Sequence, residues 1–179
     1  MACGRAIADE MTTTRTAARS PRPINHIGVG VADLEAAIDW YRTVLGFRLI
    51  SGPKEISAEA LGGDQAVDVL GPTFRRMRMA HMTSANGVGL ELFQLIDPPH
   101  ERRPDTVEFW KSGFFHICVT DPDIDALSAK IVETGGDLIS MLWVERGHTS
   151  EYRMCYCRDP FGNVIEIYTH SYELMQGHR

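Results

Sequence analysis

Between residues 24 and 51 the chain changes its hydrophobic period. INHIGVGV places apolar side chains at Ile27, Val29 and Val31 with His26, Gly28 and Gly30 between them, an alternation that predicts a strand with one covered face. From Leu34 the spacing turns helical, with Leu34, Ile38, Tyr41 and Leu45 on one side, Asp33 suited to the N-cap and Gly46 to the C-terminal stop. The succession returns ninety residues later as FHICVTDPDIDALSAKIVETGGDLIS, with no gap needed through strand and helix. His26 falls on His116, Ile27 on Ile117, Val29 on Val119, Asp33 on Asp123, Ala36 on Ala126 and Gly46 on Gly136. Such self-similarity predicts one supersecondary unit used twice.

Strand-like stretches follow each helix: FRLIS, FRRMRMAHM and VGLELFQL in the first copy, DLISMLWV, YRMCYC and NVIEIYTH in the second. Each copy therefore reads βαβββ, and the fold class is α+β. The expected organisation is a flexible tail over 1–23, a first module over 24–96, a polar, Pro-rich connector over 97–113, a second module over 114–170 and a C-terminal tail over 171–179. The last strand of each copy carries a carboxylate among apolar residues, Glu91 in GLELF and Glu166 in VIEIY. A covered carboxylate is costly unless a cation or hydrogen-bond donors compensate it. The His-to-Glu separation is 65 residues in the first copy and 50 in the second, a difference that fits an insertion around SAEALGGDQAVDVLG.

His26 shares its strand face with Gly28 and Gly30, and His116 shares its own with Cys118 and Thr120, so small and polar neighbours leave room for a ligand. Pseudo-symmetry would aim His26, Glu91, His116 and Glu166 at one point. Two imidazoles and two carboxylates suit Zn, Ni, Co or Mn, or Fe(II), with open positions left for a substrate.

Charge and length narrow the partners. The formal charge of −6 argues against nucleic acid, the arginines at 75, 76, 78, 102 and 103 being local exceptions. No apolar stretch approaches the roughly 20 residues of a membrane-spanning helix. The four cysteines, at 3, 118, 155 and 157, lack CxxC spacing, which points to a reducing compartment and a cytoplasmic protein. Cys155 and Cys157 are expected as half-buried neighbours on one strand face. The first 23 residues are rich in Arg, Thr and Ala, as in some organelle transit peptides, although Asp9 and Glu10 speak against that reading.

NHIGVGVADLEAAIDWYRTVLGF, GLELF, FFHICVTDPDIDAL and DPFGNVIEIY together resemble the vicinal oxygen chelate superfamily, which includes glyoxalase I, methylmalonyl-CoA epimerase, extradiol dioxygenases and fosfomycin-resistance proteins. The resemblance covers residues 24 to about 170, and the Asp-Pro-x-Gly-Asn turn is its most specific part. It implies paired βαβββ modules forming a half-barrel cleft that holds one divalent metal. His26, Glu91, His116 and Glu166 match the four-ligand pattern of glyoxalase I, whereas dioxygenases and fosfomycin-resistance members usually use two His and one Glu. The second carboxylate favours a lyase or isomerase that abstracts a proton next to a metal-bound carbonyl, with Glu166 the first choice of base and Glu91 the second. An Fe(II) dioxygenase, an acyl-CoA epimerase and a non-catalytic drug-binding resistance protein are the alternatives. Homodimers are common among similar proteins, and one is expected here.

Glutathione-dependent glyoxalases generally carry Arg four residues after the first ligand and Asn four after the second; here those places hold Gly30 and Leu95, which argues against glutathione. Arg76, Arg78 and His81 are candidates to line the cleft for an anionic small-molecule substrate. Trp110 marks a connector that could cover it, and His148 lies in a polar loop where similar proteins place a substrate-covering segment. Trp40 and Tyr41 are expected to pack.

Overall fold

The structure, a computed structural model, describes residues 20–144 and 150–177. Element order is β1 (His26–Gly30), α1 (Leu34–Leu45), β2 (Arg48–Ser57), α2 (Gly63–Leu70), β3 (Arg76–Thr83), β4 (Gly89–Asp97), β5 (His116–Thr120), α3 (Ile124–Glu133), β6 (Asp137–Leu138), β7 (Trp143–Val144), β8 (Arg153–Arg158), β9 (Val164–Tyr168) and α4 (Tyr172–Gln176). The first sheet runs β1-β4-β3-β2 and the second β5-β9-β8-β6, with β7 also on β8. β1 lies parallel to β4 and β5 parallel to β9, so the internal repeat is a repeat of topology. Among the described residues the fold is mixed α+β with two open sheets and no closed barrel.

Local signals in the sequence act as read. Asp33 accepts from the Ala36 amide and Asp123 from the Ala126 amide, each meeting one of the unpaired donors of a first helical turn. Gly46 ends α1 at φ 69°, a left-handed conformation that a side chain disfavours. The second helix stops differently. Thr134 caps α3, Gly135 takes the positive φ, and Gly136 is instead packed so closely that an added Cβ would lie 2.3 Å from the Arg158 carbonyl oxygen.

Burial of the inward sheet faces against α1 and α3 makes one core from both modules: Val29, Val31, Ala80, Met82, Leu90 and Leu92 join Cys155, Cys157, Ile165 and Ile167 around the two helices. The two cysteines are fully buried rather than half-buried, because both point at this core. Directed bonds cross the junction as well. Trp40 Nε1 donates to Thr134 Oγ1 at 2.9 Å, and the Tyr41 hydroxyl donates to Asp159 Oδ2 at 2.7 Å.

Three segments depart from the sequence reading. The insertion holds α2, whose Ala66 and Val67 pack with Phe74, Met77 and Met79 on the opposite face of the first sheet, together with Phe93 and Leu95. DLISMLWV divides into β6 and β7, because the Ile139 and Ser140 amides both turn to the Tyr156 carbonyl and interrupt the ladder. The C-terminal segment forms α4, held by Met175, which is 1% exposed.

Candidate functional site

On the sheet faces turned away from the shared core, each module brings its edge-strand histidine to its glutamate. In the first module β1 sets Gly28 beside Glu91 of β4, and His26 Nε2 comes 3.6 Å from Glu91 Oε2. Asn25 Oδ1 lies 2.8 Å from His26 Nδ1. A proton on Nδ1 satisfies that contact and leaves the Nε2 lone pair directed toward Glu91, the tautomer that a metal ligand needs. In the second module β5 sets Cys118 beside Glu166 of β9, and His116 Nε2 is 3.3 Å from Glu166 Oε2.

The two glutamates differ in setting. Glu91 retains 24% of its side-chain exposure and takes a second imidazole, His81 Nε2, at 3.3 Å from Oε1. Glu166 retains 6%. Burial first, then the charge and hydrogen bond of Glu166, push the Cys118 thiol far above its ordinary range. Burial also leads for the Tyr156 hydroxyl, followed by its hydrogen bond to the same carboxylate. Both groups therefore keep their protons at neutral pH, and with His116 they surround the carboxylate on its covered strand.

The Asp159-Pro160-Phe161-Gly162-Asn163 turn sets β9 in place. Asp159 is 1% exposed and accepts from the Phe161 amide, the Asn163 amide, Asn163 Nδ2 and the Tyr41 hydroxyl, so its carboxylate ties the turn to α1 of the other module. Burial raises its pKa against the opposing pull of these donors. Tyr41 is itself pushed well above the phenol range, by burial and then by the Asp159 charge.

The four expected ligands stand as two His–Glu pairs, one in each module. Among the described residues no group of three or more His, Cys, Asp or Glu side chains is placed to hold a metal ion. The donor types suit a divalent ion, and the Asn25 contact orients His26 for one, whereas His116 Nδ1 is buried with no hydrogen-bond partner among the described residues. A cavity of about 570 Å³ lies between the outer edges of β1 and β5, bounded by Gly28 and Gly30 on one side and His116 on the other, with Arg158 and Phe161 behind. Connector residues including His100, Arg103 and Lys111 form its remaining wall.

The other candidates separate. His81 joins the site. Arg78 does not: it pairs with Glu35 at the start of α1, because β3 alternation places it on the helix side together with Ala80 and Met82. Arg76 shares that parity and is exposed at the strand start. Trp110 is exposed outside the cavity, edge-on to Phe109 at 5.3 Å between ring centroids. His148 lies outside the described residues. Tyr156 was not singled out from the sequence, although it and Glu166 each lie five positions from Phe161 at the middle of the β8–β9 turn, as His81 and Glu91 lie five from Asn86.

Comparison with known proteins agrees with this architecture. Residues 23–167 match the model of the Glyoxalase/Bleomycin resistance protein/Dioxygenase superfamily. A virulence protein of Salmonella typhimurium is 26% identical over 145 residues, spanning 80% of this chain and 81% of that protein. Among solved structures, a glyoxalase family protein of Bacillus cereus aligns with a TM-score of 0.66 at 24% identity, over 85% of this chain and 96% of that one. The fosfomycin resistance protein FosX of Mesorhizobium loti aligns with a TM-score of 0.55 at 14% identity, over 89% and 100% respectively. At these identities the two structures are similar in fold alone.

Proposed function

The chain belongs to the glyoxalase/bleomycin resistance protein/dioxygenase superfamily, and from that premise we propose that it is a metal-dependent lyase or isomerase that moves a proton on a small oxygen-rich substrate. The observation that carries the reading is the pair of His–Glu couples at matching positions of two modules, 3.6 Å and 3.3 Å across. His26 and Glu91 from one sheet and His116 and Glu166 from the other would hold a divalent ion such as Zn, Ni, Co or Mn. When bound, the ion supplies Lewis acidity to a substrate oxygen.

Glu166 is the proposed base: its carboxylate takes the proton from the carbon next to that oxygen and returns it to the neighbouring carbon or to the departing group. Its burial between His116, Cys118 and Tyr156 keeps it in one place, which favours transfer along a fixed short path. The cavity of about 570 Å³ has room for a small molecule and touches the proposed site at His116, while His26, Glu91 and Glu166 lie outside its lining. Leu95 packs with Phe74, Met77 and Met79 and Gly30 offers no side chain, so neither supplies the polar contact that a glutathione conjugate needs. The reading includes a homodimer in the cytoplasm, the latter supported by the free thiols of Cys118, Cys155 and Cys157.

Elemental analysis of untagged protein purified without added metal, repeated on His116→Ala, tests it. About one Zn, Ni, Co or Mn per site, lost in the variant, is expected. Iron would instead favour the dioxygenase, and no metal after reconstitution would sink the reading. Glu166→Gln should then abolish exchange of the substrate's carbon-bound proton with solvent. A cavity whose lining leaves out Glu91 and Glu166 favours a second reading, a non-catalytic protein that sequesters a compound. Stoichiometric protection without turnover in a drug-challenge assay would identify it.

A further inference from the structure

Glu91 and Glu166 occupy equivalent places in the two sheets, yet each meets a different side chain on the next strand. The β3–β4 ladder sets His81 directly opposite Glu91, and the β8–β9 ladder sets Tyr156 directly opposite Glu166. Directly opposed side chains on neighbouring strands are close enough to interact. The contacts divide the first carboxylate cleanly: His81 Nε2 is 3.3 Å from Oε1, and His26 Nε2 is 3.6 Å from Oε2. In the second module Tyr156 stands across the ladder from Glu166, His116 Nε2 approaches Oε2 at 3.3 Å, and the His116 and Tyr156 rings meet edge to face with centroids 5.5 Å apart.

Among the described residues His81 Nδ1 is buried without a hydrogen-bond partner, as is His116 Nδ1, and the polar group that the His81 ring meets is Glu91. An unpaired ring nitrogen costs free energy that an apolar residue at this place would avoid. A free glutamate has several rotatable bonds, and ordering them costs conformational entropy that a partner on a rigid strand offsets in advance.

We propose that His81 and Tyr156 are a matched pair of positioning residues, each holding one side of its carboxylate from the neighbouring strand so that the other side stays turned to the edge-strand histidine. This rests on the proposed function, in which those carboxylates and histidines hold the ion. His81 and Tyr156 are not themselves ligands.

Co(II) titrated into the metal-free full-length chain, followed by its visible absorption and by equilibrium binding, tests the assignment. His81→Leu and Tyr156→Phe should keep the wild-type stoichiometry and weaken binding about 10- to 100-fold, the usual cost of losing a group that orients a ligand. His81→Gln, which restores a donor toward Glu91, should recover most of the loss, whereas His26→Ala should lose the ion outright. Wild-type affinity in both His81→Leu and Tyr156→Phe would overturn the proposal, as would a loss of stoichiometry in His81→Leu equal to that of His26→Ala. If wild type binds no Co(II), the proposed function fails and the positioning is decided without metal. Carboxylate carbon-13 resonances of Glu91 and Glu166 should then move in His81→Leu and Tyr156→Phe respectively, and unmoved resonances would overturn it.

Discussion

Replacing Tyr41 with Phe removes one oxygen from the middle of the molecule and tests how the two modules are joined. The hydroxyl belongs to a fully buried ring and donates at 2.7 Å to Asp159 Oδ2, whose residue is 1% exposed. Without it Oδ2 keeps only Asn163 Nδ2, at 2.9 Å, while Oδ1 keeps the Phe161 and Asn163 amides. A hydrogen bond to an ionised acceptor contributes about 1.5–3 kcal/mol. A loss near 2 kcal/mol corresponds to a fall of about 4–8 °C in Tm for a chain of this size. The pH dependence makes the test sharper. Burial raises the Asp159 pKa above its ordinary value of 3.8, and the Tyr41 bond opposes that rise. A raised carboxyl pKa contributes stability that is fully present below the unfolded value and is lost as pH rises through the folded one. In Tyr41→Phe the folded pKa moves further up, so more stability is lost toward neutrality. Urea unfolding at a series of pH values should show the largest wild-type-to-variant difference near pH 7, shrinking as pH falls toward 4. A difference below about 0.5 kcal/mol, the size of an ordinary surface change, or one independent of pH, would refute the account.

Two further outcomes are expected. Gly136→Ala places a Cβ 2.3 Å from the Arg158 carbonyl oxygen and 2.7 Å from Ile131 Cγ2, so α3 must move off β8; a loss of about 1–3 kcal/mol in the same unfolding assay is expected, and a neutral result would contradict the packing. Arg153 hydrogen-bonds Asp125 and holds its carboxyl below the ordinary range, a contribution present above the unfolded pKa and lost as pH falls through the folded one. Arg153→Met should therefore differ from wild type at neutral pH and converge with it in acid, a convergence that acid titrations followed by circular dichroism would reveal.

The chain disclosed its repeated units because their signals are local. Asp33, Gly46, Asp123 and the alternation around His26 and His116 act within a few residues of themselves, and the structure uses them as read. The placing of the cavity at the outer strands β1 and β5 was not legible, since it follows from the way both helices share one core and from where the connector runs. The same applies to Asp159, whose partner Tyr41 stands 118 residues away. Arg78 was misassigned for a simpler reason. Its strand parity, counted back from Met82 and Ala80 in the core, puts it beside Glu35 rather than Glu91. Tyr156 could have been found by counting outward from Phe161 in the β8–β9 turn, just as counting from Asn86 pairs the already named His81 with Glu91.

β1 and β5 are outer strands of their sheets and face one cavity without being paired to each other. Among the described residues no backbone ladder joins β1 to β5. The two halves are held from behind instead, by the shared core and by side-chain bonds in which Trp40 meets Thr134, Tyr41 meets Asp159 and Lys130 meets the Thr43 carbonyl. A substitution that altered the gap between β1 and β5 would therefore register in side-chain packing, with the sheet hydrogen bonds left in place.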